Sequence, residues 1–107
     1  DESQSSYYGQ LDIKINTEGQ LKAVWIIGES QFQFGTGFMS NNILVFNFYY
    51  EGENEYIGQQ FKGVVVYKIL PNGNLDGFWS EEKGDSMFIG LEFAQKALEV
   101  DSSFSLN

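Results

Sequence analysis

Hydrophobic and polar positions alternate along most of this chain. A period of two is the signature of half-buried β-strands. From Tyr7 onward, Leu11, Ile13 and Ile15 fall on one face and Gln10, Asp12 and Lys14 on the other. Asn16 to Gln20 reads as a hairpin turn, with Gly19 available for positive φ. The second strand runs from about Leu21 to Ile27. Leu21, Ala23, Trp25 and Ile27 share a face, while Val24 and Ile26 make the other face apolar too. Gly28 to Ser30 turns the chain into a third strand, about Gln31 to Met39. There Phe32, Phe34, Thr36 and Phe38 lie on one side, and Gln31, Gln33, Gly35 and Gly37 on the other. Alternate glycines mark strong bending, or close approach of a backbone or ligand. Barrel closure is the simpler explanation here.

The second half continues in the same way. Ser40 to Asn42 is a turn, and Ile43 to Tyr50 is a strand apolar on nearly both faces. Glu51 to Glu55 is an acidic loop, and Phe61 to Leu70 a fifth strand centred on Val64, Val65 and Val66. Pro71-Asn72-Gly73 is the clearest turn in the chain. Asn74 to Ser80 follows as a strand with Leu75, Gly77 and Trp79 on one face, then a second acidic loop, Glu81 to Asp85. Ser86 to about Lys96 is the seventh strand: Met87, Ile89, Leu91 and Phe93 on one face, Phe88, Gly90 and Glu92 on the other. Leu98, Val100, Phe104 and Leu106 alternate as an eighth strand, although Glu92 to Val100 is also compatible with a short helix. Short strands joined by tight turns predict an all-β domain. Sequential hairpins favour an up-and-down meander of seven or eight strands, closed into a barrel that leaves no sheet edge. Such a barrel either fills itself with side chains or holds one small ligand.

The chain also resembles itself. Shifted by 54 positions, Gly9 falls on Gly63, Lys14 on Lys68, Ile15 on Ile69, Gly19 on Gly73, Leu21 on Leu75 and Trp25 on Trp79. With one inserted residue, Phe34 falls on Ile89, Gly35 on Gly90 and Phe38 on Phe93. The expected organisation is one domain, residues 1–107, with a flexible polar start at 1–6 and repeat halves of about 7–55 and 56–107.

Composition narrows the chemistry. The chain has no histidine, no cysteine and no arginine. Thiol catalysis, zinc–thiolate sites and disulfides are excluded. The usual general base and bidentate anion clamps are missing as well. A net charge of −9 repels nucleic-acid backbones and anionic membrane surfaces, and no apolar stretch is long enough for a helical membrane span. The acidic loops match no known calcium motif, no pair of acids is fixed for glycoside hydrolysis, and no nucleotide loop or serine elbow occurs. No cofactor or metal is implied.

Aromatic residues make up 17% of the chain, enough for a lined pocket to compete with plain core packing as their explanation. Trp25 and Trp79 hold equivalent places in the two halves and could flank a cavity or face each other across it. Glu92 lies between Leu91 and Phe93. Inward, it would be a buried carboxylate in need of a partner, Lys68 or a ligand. Outward, it would be an ordinary surface acid, and an outward or structural place is the expectation. The candidate ligand contacts are Trp25, Phe34, Tyr67, Trp79 and Glu92.

Asn72 to Trp79, N-G-N-L-D-G-F-W, resembles a hairpin of avidin-like barrels. A wider pattern joins Gly35-x-Gly37, Gly63 to Ile69, this hairpin, and Ile89 to Phe93. It is similar to small secreted bacterial β-proteins often labelled fibronectin-binding, over about Tyr7 to Lys96. The resemblance implies a lipocalin- or avidin-like barrel, secreted or periplasmic. Ala23 stands where the avidin-like pattern has glycine, and no biotin-contacting polar set is visible. The leading expectation is a non-enzymatic module taking a small apolar or amphipathic ligand in an aromatic-lined interior. The alternative is a protein–protein or adhesion module, a homo-oligomer or a matrix binder, with a filled core and outer apolar faces built from Val24, Ile26, Phe46, Phe48 and Tyr50.

Overall fold

The computed structural model describes residues 9–15, 18–28, 31–52, 54–82, 90–96 and 103–106. Eight antiparallel strands close into a barrel in sequence order: β1 (Gly9–Ile15), β2 (Leu21–Ile27), β3 (Gln31–Ser40), β4 (Ile43–Glu51), β5 (Gln60–Ile69), β6 (Leu75–Glu81), β7 (Gly90–Lys96) and β8 (Ser103–Leu106). β8 pairs with β1 through Leu11 and Phe104 and so closes the sheet. The expected all-β meander is the fold. No helix among the described residues is long and apolar enough to cross a membrane.

The turns fall where the glycines demand. Gly19 and Gly73 take φ of 81° and 91° in the turns before β2 and β6, a conformation that costs other residues free energy. The turn before β6 is tied by Gly73 N donating to Leu70 O at 2.8 Å and Leu70 N to Asn74 O at 2.8 Å. The Asn74 side chain then accepts from Lys96 N at 2.9 Å, holding β7 against the same turn. The first and third hairpins pair in the same register: Gly9 opposes Ile27 and Leu21 opposes Ile15, while Gly63 opposes Glu81 and Leu75 opposes Ile69. The next strands differ. Trp25 opposes Gln33, whereas Trp79 opposes Gly90.

Leu11, Leu21, Ala23, Trp25, Leu44, Phe46, Phe48, Val65, Tyr67, Leu75, Ala94, Phe104 and Leu106 form one buried core. Several sequence expectations change here. On β1, Leu11 is buried but Ile15 is 67% exposed, because its alternate face runs out past the end of the barrel. On β4, Phe46, Phe48 and Tyr50 point inward with Leu44, so they are not an outer binding face. On β7, Leu91 and Phe93 lie outside, while Gly90, Glu92 and Ala94 are buried. Of the outward or structural place expected for Glu92, the outward half is therefore corrected: the side chain points inward. The helical option for 92–96 is also excluded, since these residues are strand. Phe104 and Leu106 alternate inward on β8 as expected. Met87, Phe88, Ile89, Leu98 and Val100 fall outside the described residues.

Interior volume explains the inverted faces of β3 and β7. An eight-stranded barrel is just wide enough to be filled by side chains. Here the large ones come from β2, β4, β5 and β6, and their neighbours must be small. A Cβ added to Gly35 would lie 2.8 Å from the Trp25 ring. One on Gly63 would lie 2.4 Å from Phe48, one on Gly77 2.5 Å from Tyr67, and one on Gly90 2.1 Å from Trp79. Each of four core aromatics thus lies over a glycine on the following strand. Cross-strand aromatics covering glycines are a known device for curved sheets.

Candidate functional site

The site is built on the strand ends nearest the β2–β3, β4–β5 and β6–β7 connections. A cavity of about 180 Å³ opens there, lined by Trp25 and Ile27 of β2, Gln31 and Gln33 of β3, and Phe48 and Tyr50 of β4, with Val65, Trp79, Glu81 and Glu92 completing the wall. Strand alternation explains the set. Inward positions continue Leu21, Ala23, Trp25 to Ile27 on β2, and Leu75, Gly77, Trp79 to Glu81 on β6. The opposite end, beside the β1–β2, β3–β4 and β5–β6 turns, is plugged by Leu21, Leu44 and Leu75.

The aromatic wall is one continuous packing unit. Trp25 meets Phe46 edge to face at 5.8 Å and Phe48 at 6.2 Å; Phe48 meets Trp79 at 6.5 Å, and Phe46 meets Tyr67 at 6.4 Å. Such pairs contribute about 0.5–1.5 kcal/mol each beyond burial, so the wall is held rigidly by its own packing.

Among the described residues, two carboxylates line the cavity, and each receives a tyrosine hydroxyl. Tyr67 is fully buried. Its hydroxyl accepts from the Trp25 indole N–H at 2.8 Å and donates to Glu92. A buried acid in an apolar wall costs several kcal/mol without such a donor. Lys68, considered as its partner, instead points outward and is exposed. Nearer the mouth, the Tyr50 hydroxyl donates to Glu81. Burial first, then this hydrogen bond and the charge of Glu81, push the Tyr50 phenol well above its ordinary range. The folded state therefore disfavours Tyr50 ionisation. Its contribution to stability is complete below the ordinary tyrosine pKa of about 10 and is lost as pH rises beyond it. Urea midpoints measured from pH 8 to 11 are expected to fall above pH 10, and more shallowly in Tyr50→Phe. Equal slopes would show that Tyr50 does not carry the effect.

Of the five sequence candidates, Trp25, Trp79 and Glu92 line the cavity, and Tyr67 lies beneath it, bonded to two of them. Phe34 does not join them. It sits on the outer face, 39% exposed, stacked on Phe32 at 6.4 Å and packed on Tyr49 at 5.7 Å. Alternation puts Gly35 inward under Trp25, which sends Phe34 out. Sequence reasoning missed Gln31, Gln33, Tyr50 and Glu81. The signal was present for Glu81, which extends the Leu75, Gly77, Trp79 series by one step rather than starting a loop. Gln31 and Gln33 were marked by sharing a face with Gly35. Among the described residues, no three acidic side chains converge to hold a metal ion.

Comparison of the chain with protein families, with curated proteins and with solved structures gives no match.

Proposed function

We propose that this chain is a non-enzymatic binding module that takes a small ligand with an apolar body into one end of its barrel. The observation that carries the reading is the 180 Å³ cavity between Trp25, Phe48, Tyr50 and Trp79. An engineered apolar cavity of about 150 Å³ binds benzene, so this one suits a ligand of about one ring. The rigid aromatic wall, with a few polar groups at one side, is the usual composition of a small-molecule site. The likeness to small secreted β-proteins fits an exported carrier, and export belongs to the same proposal.

Native mass spectrometry of protein purified without refolding tests the reading, paired with benzene titration followed by tryptophan fluorescence. An extra mass lost on denaturation, or saturable one-to-one benzene binding, is expected. A protein that carries no ligand and takes up no benzene would refute it.

A protein–protein module is the second reading. It is favoured by the outer aromatic stripe of Phe32, Phe34 and Tyr49, extended on β3 by Phe38, which is 59% exposed. Contiguous exposed apolar patches mark interaction surfaces. A stable dimer with an empty barrel, lost in Phe34→Ser, would favour this reading.

A further inference from the structure

We infer that the outer face of the β3–β4 hairpin is a second binding site, one that takes a short neutral oligosaccharide. This site is separate from the cavity and does not rest on it. The register of the two strands builds it from three successive outward pairs: Phe34 with Tyr49, Thr36 with Asn47, and Phe38 with Val45. A polar pair is thus set between two pairs that each carry an aromatic ring. The surface is hollowed there. An open depression of about 660 Å³ takes in Tyr49, Asn47 and Thr36 and reaches Lys62 and Ser80 on the neighbouring strands. Another of about 550 Å³ shares Thr36 and Asn47 and continues to Phe38. Tyr49 lies four residue steps from Val45, the partner of Phe38, which sets the two aromatic platforms about 13 Å apart along the strands. Phe34 braces the first platform, its ring centroid 5.7 Å from that of Tyr49. Both platforms are open to a ligand, Tyr49 being 43% exposed and Phe38 59%.

Sugars match this order of surfaces. Their C–H faces carry partial positive charge and rest on the negative face of an aromatic ring. Their hydroxyls both donate and accept, as do the Asn47 amide and the Thr36 and Ser80 hydroxyls. An apolar ligand spanning both rings would cover the Thr36–Asn47 pair and strip it of hydrogen bonds, which costs free energy. A peptide strand adds to a free sheet edge, and β3 and β4 are each paired on both sides in the closed barrel. Nucleic acids and acidic glycans are disfavoured by the chain's net charge of −9. A neutral run of sugar rings stacks at both ends of the face and hydrogen-bonds in the middle.

The test titrates cellopentaose, maltopentaose, mannopentaose and chitopentaose into the full chain, with calorimetry for affinity and amide-shift mapping for location. One-to-one binding of at least one of them is expected, with shifts centred on residues 34–38 and 45–49. Tyr49→Ala and Phe38→Ala are each expected to weaken that binding about tenfold, and Asn47→Ala about fivefold. All three side chains are exposed, so the fold is expected to survive each change. Leu91→Ala, at a position 75% exposed and outside both depressions, is expected to leave the affinity unchanged. Failure of every pentasaccharide to bind would overturn the inference and leave the cavity reading untouched. Binding weakened by the two aromatic changes but not by Asn47→Ala would also overturn it, since the face would then be a plain apolar surface. A dimer lost in Tyr49→Ala, with no sugar bound, would overturn it in favour of a second copy of the chain.

Discussion

Tyr67→Phe is expected to destabilise the protein by about 3 kcal/mol, although it removes a single oxygen. That oxygen serves two buried groups: it accepts from the Trp25 indole N–H at 2.8 Å and donates to Glu92. Trp25 is 3% exposed and Glu92 7%, so water cannot readily replace the lost hydroxyl. A buried polar group stripped of a partner costs about 1–3 kcal/mol, and more when charged. At about 4–8 °C per kcal/mol for a domain near this size, the melting temperature is expected to drop by about 12–24 °C. Thermal unfolding followed by near-ultraviolet circular dichroism checks the size of the effect. A double-mutant cycle checks its cause. Replacing both members of a buried hydrogen bond by apolar groups of similar shape can be nearly neutral. Glu92→Leu in the Tyr67→Phe background is therefore expected to cost at least 1 kcal/mol less than in the wild type. Strict additivity would show that the hydroxyl and the carboxylate do not depend on each other. A loss under 1 kcal/mol for Tyr67→Phe alone would show that Trp25 and Glu92 are satisfied without it.

The barrel was readable from the period-two pattern, because most strands carry it and every connection but the one before β8 has a glycine, asparagine or proline. The faces of β2 and β6 were readable for the same reason: Leu21, Ala23, Trp25 and Ile27, and Leu75, Gly77 and Trp79, each form one inward row. What could not be read from periodicity was which face of β3 and β7 turns inward. A rule that sends the apolar face to the core would bury Phe32 and Phe34, and Leu91 and Phe93. It fails where the interior is already occupied. Trp25 reaches across to Gly35, and Trp79 to Gly90, so the inner places on those strands accept only small residues or the polar ones at the mouth. The choice depends on volume summed over strands far apart in sequence, and no local window contains that sum. Glu92 illustrates the consequence. On its own strand it looks like the polar face of a sheet. The hydroxyl of Tyr67, brought from β5, supports its inward place, and nothing on β7 itself signals that.

The same filling argument makes Gly90 a site where one methyl group has a large and diagnosable effect. A Cβ at this position would lie 2.1 Å from Trp79 Cε2 and 2.4 Å from its Cζ2 and Nε1. All three nearest atoms belong to one indole, so Gly90→Ala forces that ring to move. Overpacking of this kind costs about 1–3 kcal/mol, and about 2 kcal/mol is expected in urea unfolding. Trp79 also lines the cavity, so a displaced indole is expected to reshape the site and weaken ligand binding along with stability. The cause can be isolated by removing the obstacle. In a Trp79→Leu background, Gly90→Ala is expected to cost less than about 0.5 kcal/mol, because the atoms it collides with are gone. Gly37→Ala is the contrasting case. Its Cβ would lie 1.7 Å from the Val45 carbonyl oxygen, a backbone atom that no side-chain truncation removes. That substitution is expected to stay destabilising in the Trp79→Leu background. If Gly90→Ala cost as much with leucine at 79 as with tryptophan, the glycine would be required by the strand itself, and the pairing of core aromatics with glycines would not be what shapes this barrel.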